Sequence, residues 1–270
     1  MSSLFLLNSL SFLGYALAFL WLCLRLQGKR PAGEGVLSRF TWFGLAGLLV
    51  HALTLKNSLF HTAGIDLGFY HALSLWGWFI GILLLVMLPF AAIENLGLVV
   101  FPLLGVGVLL DGLFDSHHIM TTSTGFHMVL HVVISILAYS CLALAVAQGV
   151  MLGIQDRFLH RKRINALTQS FPPLQEMENG LFRLISAGFV LLSLSLLTGF
   201  VFVENLFAQH LVHKTVFSIV AWLVFGGLLW ARWHHGLRGR LVVRWLVVGF
   251  VMLMLSYLGS KLVLEVILHH

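Results

Sequence analysis

Long apolar stretches, separated by short polar segments, recur along the whole chain. Each is close to the ~20 residues that an α-helix needs to cross ~30 Å of hydrocarbon. This pattern predicts an all-α fold, a polytopic transmembrane helical bundle that forms a single integral membrane domain over residues 1–270. The eight predicted helices lie at about residues 3–25, 36–55, 68–90, 95–113, 127–154, 181–204, 213–233 and 242–267.

The composition agrees with a membrane protein. Apolar residues make up 59% of the chain and charged residues only 10%, whereas soluble domains are about 25% charged. The first 25 residues lack a basic start and a small-residue cleavage site, so we expect a retained first span rather than a signal peptide. The formal charge of +6 is explained by basic residues between the spans, and it predicts no nucleic-acid partner.

Basic residues mark one side of the predicted bundle. Thirteen of the sixteen Lys and Arg residues flank the connections after the first, fifth and seventh helices. Only Lys56, Lys214 and Lys261 fall on the opposite side. Because Lys and Arg accumulate on the cytoplasmic side, the sequence predicts that both termini lie outside.

Histidines are distributed in the opposite way. The chain contains fourteen, and most fall at or beyond the outer boundary of the predicted spans. His51, His71, His131 and His213 each lie at the outer end of a different helix. Ionisable residues inside a membrane are costly and usually face the bundle interior or a ligand. Two imidazoles from opposing helices are ligands that a six-coordinate haem iron would use.

Other interpretations of these histidines remain open at this point. Zinc uses the same imidazoles, usually with a carboxylate, and Asp66, Asp111 and Asp115 are available. The histidine spacings match no compact zinc signature. A transporter or accessory subunit that uses histidines for proton or metal relay, or a structural membrane partner protein, also fits. The chain contains no nucleotide-binding glycine loop or nucleophile motif, so we predict no enzymatic activity of the side chains themselves.

Five stretches in the second half of the chain carry a family resemblance: LHVVISILAYSCLALA (130–145), PPLQEMENGLFRL (172–184), LFRLISAGFVLLSLSLLTGFVF (181–202), HKTVFSIVAWLVFGGLLWARWHHGLRGR (213–240) and VVGFVMLMLSYLGSKLV (247–263). They resemble the cytochrome c assembly protein family, integral membrane proteins that handle haem. Within that family, the chain is most similar to the short HemX- and YpjD-like inner-membrane branch, which lacks a tryptophan-rich WWD domain. The resemblance implies an assembly-like core at about residues 68–267 in a bacterial inner membrane.

The resemblance implies a role for individual residues. The histidine of the family's HV…SY motif falls on His131, followed by Ser135 and Tyr139 on the same helix. In haem-exporting members that histidine is an external axial ligand. His213 stands in for the second ligand histidine. The connection NLFAQHLVH (205–213) is too short for the WWD segment of exporting members, so the resemblance implies haem binding without a haem-presenting domain.

The function implied is the binding of b-type haem between two histidines near the outer face. Such a protein would act in haem handling, cytochrome c biogenesis or regulation of haem supply. Its expected partners are haem, the lipid bilayer and proteins of cytochrome biogenesis or haem synthesis. His51 and His71 are candidates for a further ligand because of their position at the outer ends of their helices.

Overall fold

The computed structural model describes residues 3–27, 39–61, 64–66, 68–89, 93–114, 119–120, 126–160, 171–202 and 209–256. These residues contain eight α-helices, which confirms the predicted all-α class. The helices are α1 (Ser3–Leu26), α2 (Arg39–Leu59), α3 (Phe69–Met87), α4 (Gly97–Leu113), α5 (Phe126–His160), α6 (Leu174–Phe202), α7 (Gln209–His235) and α8 (Arg240–Met254).

Six of the described helices are long and apolar enough to cross a membrane. This finding confirms a multi-pass membrane protein. The other two are α2, which contains Arg39 and Lys56, and α8, whose described part has 15 residues. The six segments are Leu4–Arg25, Phe69–Met87, Glu94–Leu113, Met128–His160, Leu174–Val201 and Lys214–His235.

Helices α5 and α6 extend furthest beyond their predicted ends. Helix α5 continues to His160 instead of residue 154, and α6 begins at Leu174 instead of residue 181. Hydropathy detects only the lipid-spanning part of a helix, so polar turns at its ends escape the pattern. Helix α6 starts directly after Pro173, whose carbonyl accepts the N–H groups of Glu176 and Met177. Proline suits this position because it has no N–H of its own to lose.

A small antiparallel sheet joins α2, α3 and α4. Its three strands are β1 (Phe60–His61), β2 (Gly64–Asp66) and β3 (Ile119–Met120), in the order β1-β2-β3. Phe60 pairs with Ile65, and Ile65 pairs with Met120 on the other side. Strands of two or three residues are too short to show an alternating pattern, and the sequence did not predict them.

The chain divides into two compact units. Unit 1 comprises Met1–Met120 and Ile154–Gly180. In unit 1, α1 packs against α2 and α4, and α3 packs against the same two helices. A Cβ placed on Gly14 would lie 2.8 Å from the Cα of Gly47. The absence of side chains at these two positions therefore allows the backbones of α1 and α2 to approach closely.

Unit 2 comprises Thr121–Gly153 and Leu181–His270. Here α7 packs against α8, and a Cβ on Gly249 of α8 would lie 3.0 Å from the Phe225 ring of α7. The two helices are joined by a tight turn, in which Gly236 and Gly239 have φ of 62° and 73°. This left-handed conformation favours glycine. The expectation of a single domain over residues 1–270 stays a prediction.

Candidate functional site

His51 connects three helices of unit 1. Its side chain is fully buried. The Nδ1 atom lies 2.9 Å from the Tyr15 hydroxyl on α1, and Nε2 lies 2.8 Å from the Ser74 hydroxyl on α3. The Tyr15 ring meets the imidazole edge-on, with ring centroids 5.9 Å apart. Both ring nitrogens of His51 are therefore hydrogen-bonded, as a buried polar group requires.

His71 forms the second buried histidine contact of unit 1. Its Nδ1 atom lies 2.6 Å from Oδ1 of Asp111 on α4, and both side chains are almost entirely shielded. A carboxylate in this position accepts a hydrogen bond from Nδ1–H and fixes the ring, as it does behind metal-binding histidines. Ser74 follows His71 by three residues and therefore lies on the same face of α3. The contacts of His51 and of His71 thus meet along one side of that helix.

Asp66, another possible metal ligand in the sequence, has a local structural role. Its Oδ1 accepts the N–H of Gly68 at 3.0 Å, immediately before α3 begins at Phe69. Among the described residues, no group of three or more His, Cys, Asp or Glu side chains could hold a metal ion. Asp115, the third candidate, lies outside the described residues.

In unit 2, His131 is the candidate ligand whose side chain the structure describes. It lies one turn into α5 and is partly buried. Its Nδ1 atom lies 3.0 Å from Oγ1 of Thr198 on α6. A Cβ on the next residue, Gly199, would lie 3.1 Å from Cε1 of the ring. Helix α6 therefore provides a hydrogen-bonding partner and, one residue later, the space that the imidazole occupies.

The next two polar residues of α5 are Ser135 and Tyr139, and both also contact hydroxyls of later segments of unit 2. The Ser135 hydroxyl lies 2.7 Å from that of Ser195 on α6. The Tyr139 hydroxyl interacts with those of Ser218 on α7 and Ser256, which follows α8. At positions i, i+4 and i+8, the three side chains share one face of α5. Through this polar face, α5 contacts α6, α7 and the residue Ser256 after α8.

Helix α7 begins at Gln209, four residues earlier than predicted, so its first turn contains both His210 and His213. The backbone of these residues is described, and their side chains lie outside the described part of the structure. The adjoining backbone is bound to the segment after α8, because the Ser256 hydroxyl donates to the Lys214 carbonyl at 2.8 Å. His213 therefore precedes a well-defined contact between α7 and the residues after α8.

The structure reveals partners that sequence reasoning did not identify, namely Tyr15, Ser74, Ser195 and Thr198. The sequence carried a weak signal for two of them. Ser195 and Thr198 are three residues apart in the otherwise apolar stretch LLSLSLLTGFVF, which places them on one helix face. Polar side chains that share a face within a span commonly bond to a neighbouring helix.

Comparison with known proteins places most of the chain in one group. The family model described as "Cytochrome C assembly protein" matches residues 39–268. Inner membrane protein YpjD of Escherichia coli (strain K12) is 31% identical over 224 residues, covering 82% of this chain and 84% of YpjD. No solved structure matches the chain.

Two further relatives differ in how much of the chain they cover. Protein HemX of Brevibacillus brevis is 22% identical over 226 residues, covering 79% of this chain and 82% of HemX. Cytochrome c biogenesis protein CcsA of Gloeobacter violaceus is 30% identical over 87 residues, covering 32% of this chain and 26% of CcsA. Similarity to HemX therefore extends over most of both chains, whereas similarity to CcsA is local.

Proposed function

We propose a haem-binding function for this chain, which belongs to the cytochrome c assembly protein family. The family match and the similarity to YpjD and HemX confirm the resemblance found in the sequence. Six of the described helices are long and apolar enough to cross a membrane, and the chain is a multi-pass protein of the bacterial inner membrane. The family is one of haem handling and cytochrome biogenesis.

The proposed site holds b-type haem near the outer ends of α5 and α7, with His131 and His213 as axial ligands. The state of the His131 ring is the observation that carries the proposal. Its Nδ1 atom is held by Thr198, and a histidine that binds metal through one ring nitrogen usually donates a hydrogen bond from the other. An imidazole fixed in this way suits iron better than a freely rotating one.

The positions of the two histidines along their helices support the pairing. His131 precedes Tyr139 by eight residues, and His213 precedes Ser218 by five, which correspond to rises of about 12 Å and 7.5 Å. Tyr139 and Ser218 are in contact. If both helices start at the outer face, as the predicted orientation requires, the two histidines lie at depths that differ by only about 5 Å.

Four residues would have separate roles in this site. His131 and His213 would hold the iron, Thr198 orients one ring, and Gly199 leaves room for it. The apolar side chains of the surrounding helices would shield the macrocycle from water. Haem bound there supplies an iron centre whose redox potential is set by its axial ligands and its surroundings.

We propose that haem is held stably, as a sensor or structural cofactor, and is not transferred rapidly as cargo. Only residues 203–208 separate the last residue of α6 from the first residue of α7, and so short a segment can cover a site but can hardly form a docking domain. Partners would then be proteins of cytochrome biogenesis or haem synthesis that respond to haem occupancy. Apomyoglobin added to the purified holoprotein should remove haem over hours, and removal within seconds would contradict stable binding.

Absorption spectra of the protein purified in detergent test the ligands. The wild type should show a Soret band and sharp reduced α and β bands. His131→Ala or His213→Ala should reduce haem retention or convert the spectrum to high spin, because iron loses an axial ligand. His118→Ala is the control and should leave the spectrum unchanged, because the sequence predicts His118 in a polar outer loop rather than in a helix. Normal low-spin spectra for both variants would exclude this pair, and His51 and His71 would then be tested as ligands.

The contact between His71 and Asp111 favours a second candidate function, proton or metal relay through unit 1. A histidine–carboxylate pair with a separation of 2.6 Å is a common element of proton pathways in membrane proteins. A visible spectrum without haem bands, together with proton or metal flux that His71→Ala abolishes in proteoliposomes, would favour this alternative. A haem spectrum without such flux would favour the first proposal.

The predicted orientation is tested with topology reporters. A reporter fused after Arg163 should be cytoplasmic, and a reporter fused after Asp115 should be periplasmic, because basic residues concentrate around the connections on the inner side. Reversed signals would place the outer histidines in the cytoplasm and contradict a haem site facing outward.

A further inference from the structure

We propose that Thr198 is a positioning residue that fixes the His131 tautomer with its proton on Nδ1, which makes Nε2 the iron-binding atom. The inference deepens the proposed haem function and rests on it for the role of iron. The tautomer itself depends only on hydrogen bonds between α5 and α6, both in unit 2. It can therefore be tested in protein that contains no haem.

The Thr198 hydroxyl has a single hydrogen to donate. Its Oγ1 atom lies 2.9 Å from the Leu194 carbonyl, 3.0 Å from the Ser195 carbonyl and 3.0 Å from Nδ1 of His131. A carbonyl oxygen only accepts. When the hydroxyl donates to either carbonyl, its own lone pairs face outward from α6 as acceptors. Nδ1 must then be the donor in the contact with His131.

The opposite tautomer satisfies fewer groups. If the proton were on Nε2, Nδ1 could only accept, and the Thr198 hydroxyl would have to turn its hydrogen away from both carbonyls. One hydrogen bond would then replace two. Hydroxyls in helices readily donate to the carbonyl four residues earlier, as the Ser135 hydroxyl does to His131 in α5. The Nδ1–H tautomer therefore makes full use of the donors and acceptors present.

A proton on Nδ1 leaves the lone pair of Nε2 available. Metal binding requires an unprotonated ring nitrogen, so the ring is prepared for iron before any ligand arrives. The position of the ring is also restricted by α6. The imidazole lies against Gly199, where an added Cβ would come within 3.1 Å of Cε1. Residues 198 and 199 thus set the protonation and the position of the same imidazole.

Two substitutions separate the hydrogen bond from the shape of the side chain. Thr198→Val keeps the branched volume and removes the hydroxyl, whereas Thr198→Ser keeps the hydroxyl. Loss of a group that orients a metal ligand typically reduces affinity 10–100-fold. We expect haem affinity to fall by about 10–100-fold in Thr198→Val, and Thr198→Ser to stay close to the wild type.

Nitrogen NMR of the haem-free protein, labelled with ¹⁵N-histidine in detergent, provides the decisive measurement. Wild type and Thr198→Ser should show His131 protonated on Nδ1, with Thr198→Val shifted toward the Nε2–H form. His131→Ala identifies the resonance. If Thr198→Val acted through a change in packing alone, its haem affinity would fall and the tautomer of His131 would stay unchanged. That result would contradict the inference.

The outcomes distinguish this inference from the function on which it rests. An Nε2–H tautomer in the wild-type protein overturns it without any variant, as does wild-type haem affinity in Thr198→Val. If Thr198→Val does not fold, Thr198→Ala carries the same expectation. If His131→Ala retains low-spin haem, the proposed function fails, whereas the tautomer result still decides whether Thr198 orients the ring.

Discussion

The histidines of unit 1 and unit 2 are held in different ways. In unit 1, His51 is fully buried, and hydroxyls from α1 and α3 lie within hydrogen-bonding distance of its two ring nitrogens. In unit 2, His131 is partly buried, its Nδ1 atom lies 3.0 Å from the Thr198 hydroxyl, and the ring also interacts with the backbone of Ser195. His51 would have to lose a hydrogen bond before it could bind iron, whereas in the tautomer proposed for His131 the Thr198 contact leaves Nε2 available for a ligand.

This comparison refines the expectation that a histidine inside a membrane marks a functional site. The polar groups of a bundle can satisfy an imidazole completely, and the residue then serves to hold helices together. His71 is intermediate, because its Nδ1 atom contacts a carboxylate, an arrangement found both in structural pairs and behind metal ligands. The partners of each ring nitrogen are therefore more informative than the position of a histidine in the sequence.

The largest expected effect is on stability, in His51→Ala. The substitution removes a buried ring and leaves the Tyr15 and Ser74 hydroxyls without their partner. A cavity and two unsatisfied groups together should cost about 3–5 kcal/mol, measured by thermal or denaturant unfolding in detergent. The exposed His234→Ala should change stability by no more than about 0.5 kcal/mol. If His51→Ala lost haem and kept its stability, His51 would hold haem rather than hold the helices of unit 1 together.

The second expected effect concerns the contact between His71 and Asp111. Asp111→Asn keeps the shape of the side chain and removes its charge, so the contact with Nδ1 weakens. Hydrogen bonds to charged groups contribute about 1.5–3 kcal/mol, and we expect a loss near the lower end of that range. Asp156→Asn, whose carboxylate lies 3.1 Å from the exposed His160, is the matched control and should change stability by less than about 0.5 kcal/mol.

A matched pair of glycine substitutions tests the contact between α6 and His131. In Gly199→Ala the new methyl would lie 3.1 Å from the imidazole, whereas at Gly227 nothing lies within 4 Å. Gly227→Ala should stabilise its helix by about 0.5–1 kcal/mol because alanine is the better helix former. In Gly199→Ala displacement of the ring should offset that gain and weaken haem binding. Equal stabilisation in both variants would show that the contact is not tight.

The smallest expected effect is that of Ser135→Ala. The variant loses the contact with Ser195, and hydrogen bonds between membrane helices average about 0.6 kcal/mol. Haem affinity should stay at the wild-type level, because Thr198 contacts the imidazole and Ser135 does not take part in that contact. A loss of haem comparable to that of Thr198→Val would show that the whole polar face of α5 positions His131.

Most of the fold could be predicted because the length and apolarity of a membrane helix are visible in the sequence. The true ends of α5 and α6 were not visible, because helical turns outside the lipid carry no hydropathy signal. The partners of His131 were hidden for another reason. A hydroxyl in a span can bond to its own helix, as Ser140 does to the Ile136 carbonyl, or also reach another helix, as Thr198 does. Only the packing of the helices decides between these outcomes.

The contact of Tyr139 with Ser218 and Ser256 has a consequence for biosynthesis. Tyr139 leaves the ribosome on the order of a hundred residues before Ser256, a delay of about 5–20 s at typical rates of translation. During that interval the phenol of α5 must find water or lipid head groups, since hydrocarbon offers it no acceptor. The second half of the protein should therefore be most exposed to membrane proteases while its last helix is still being made.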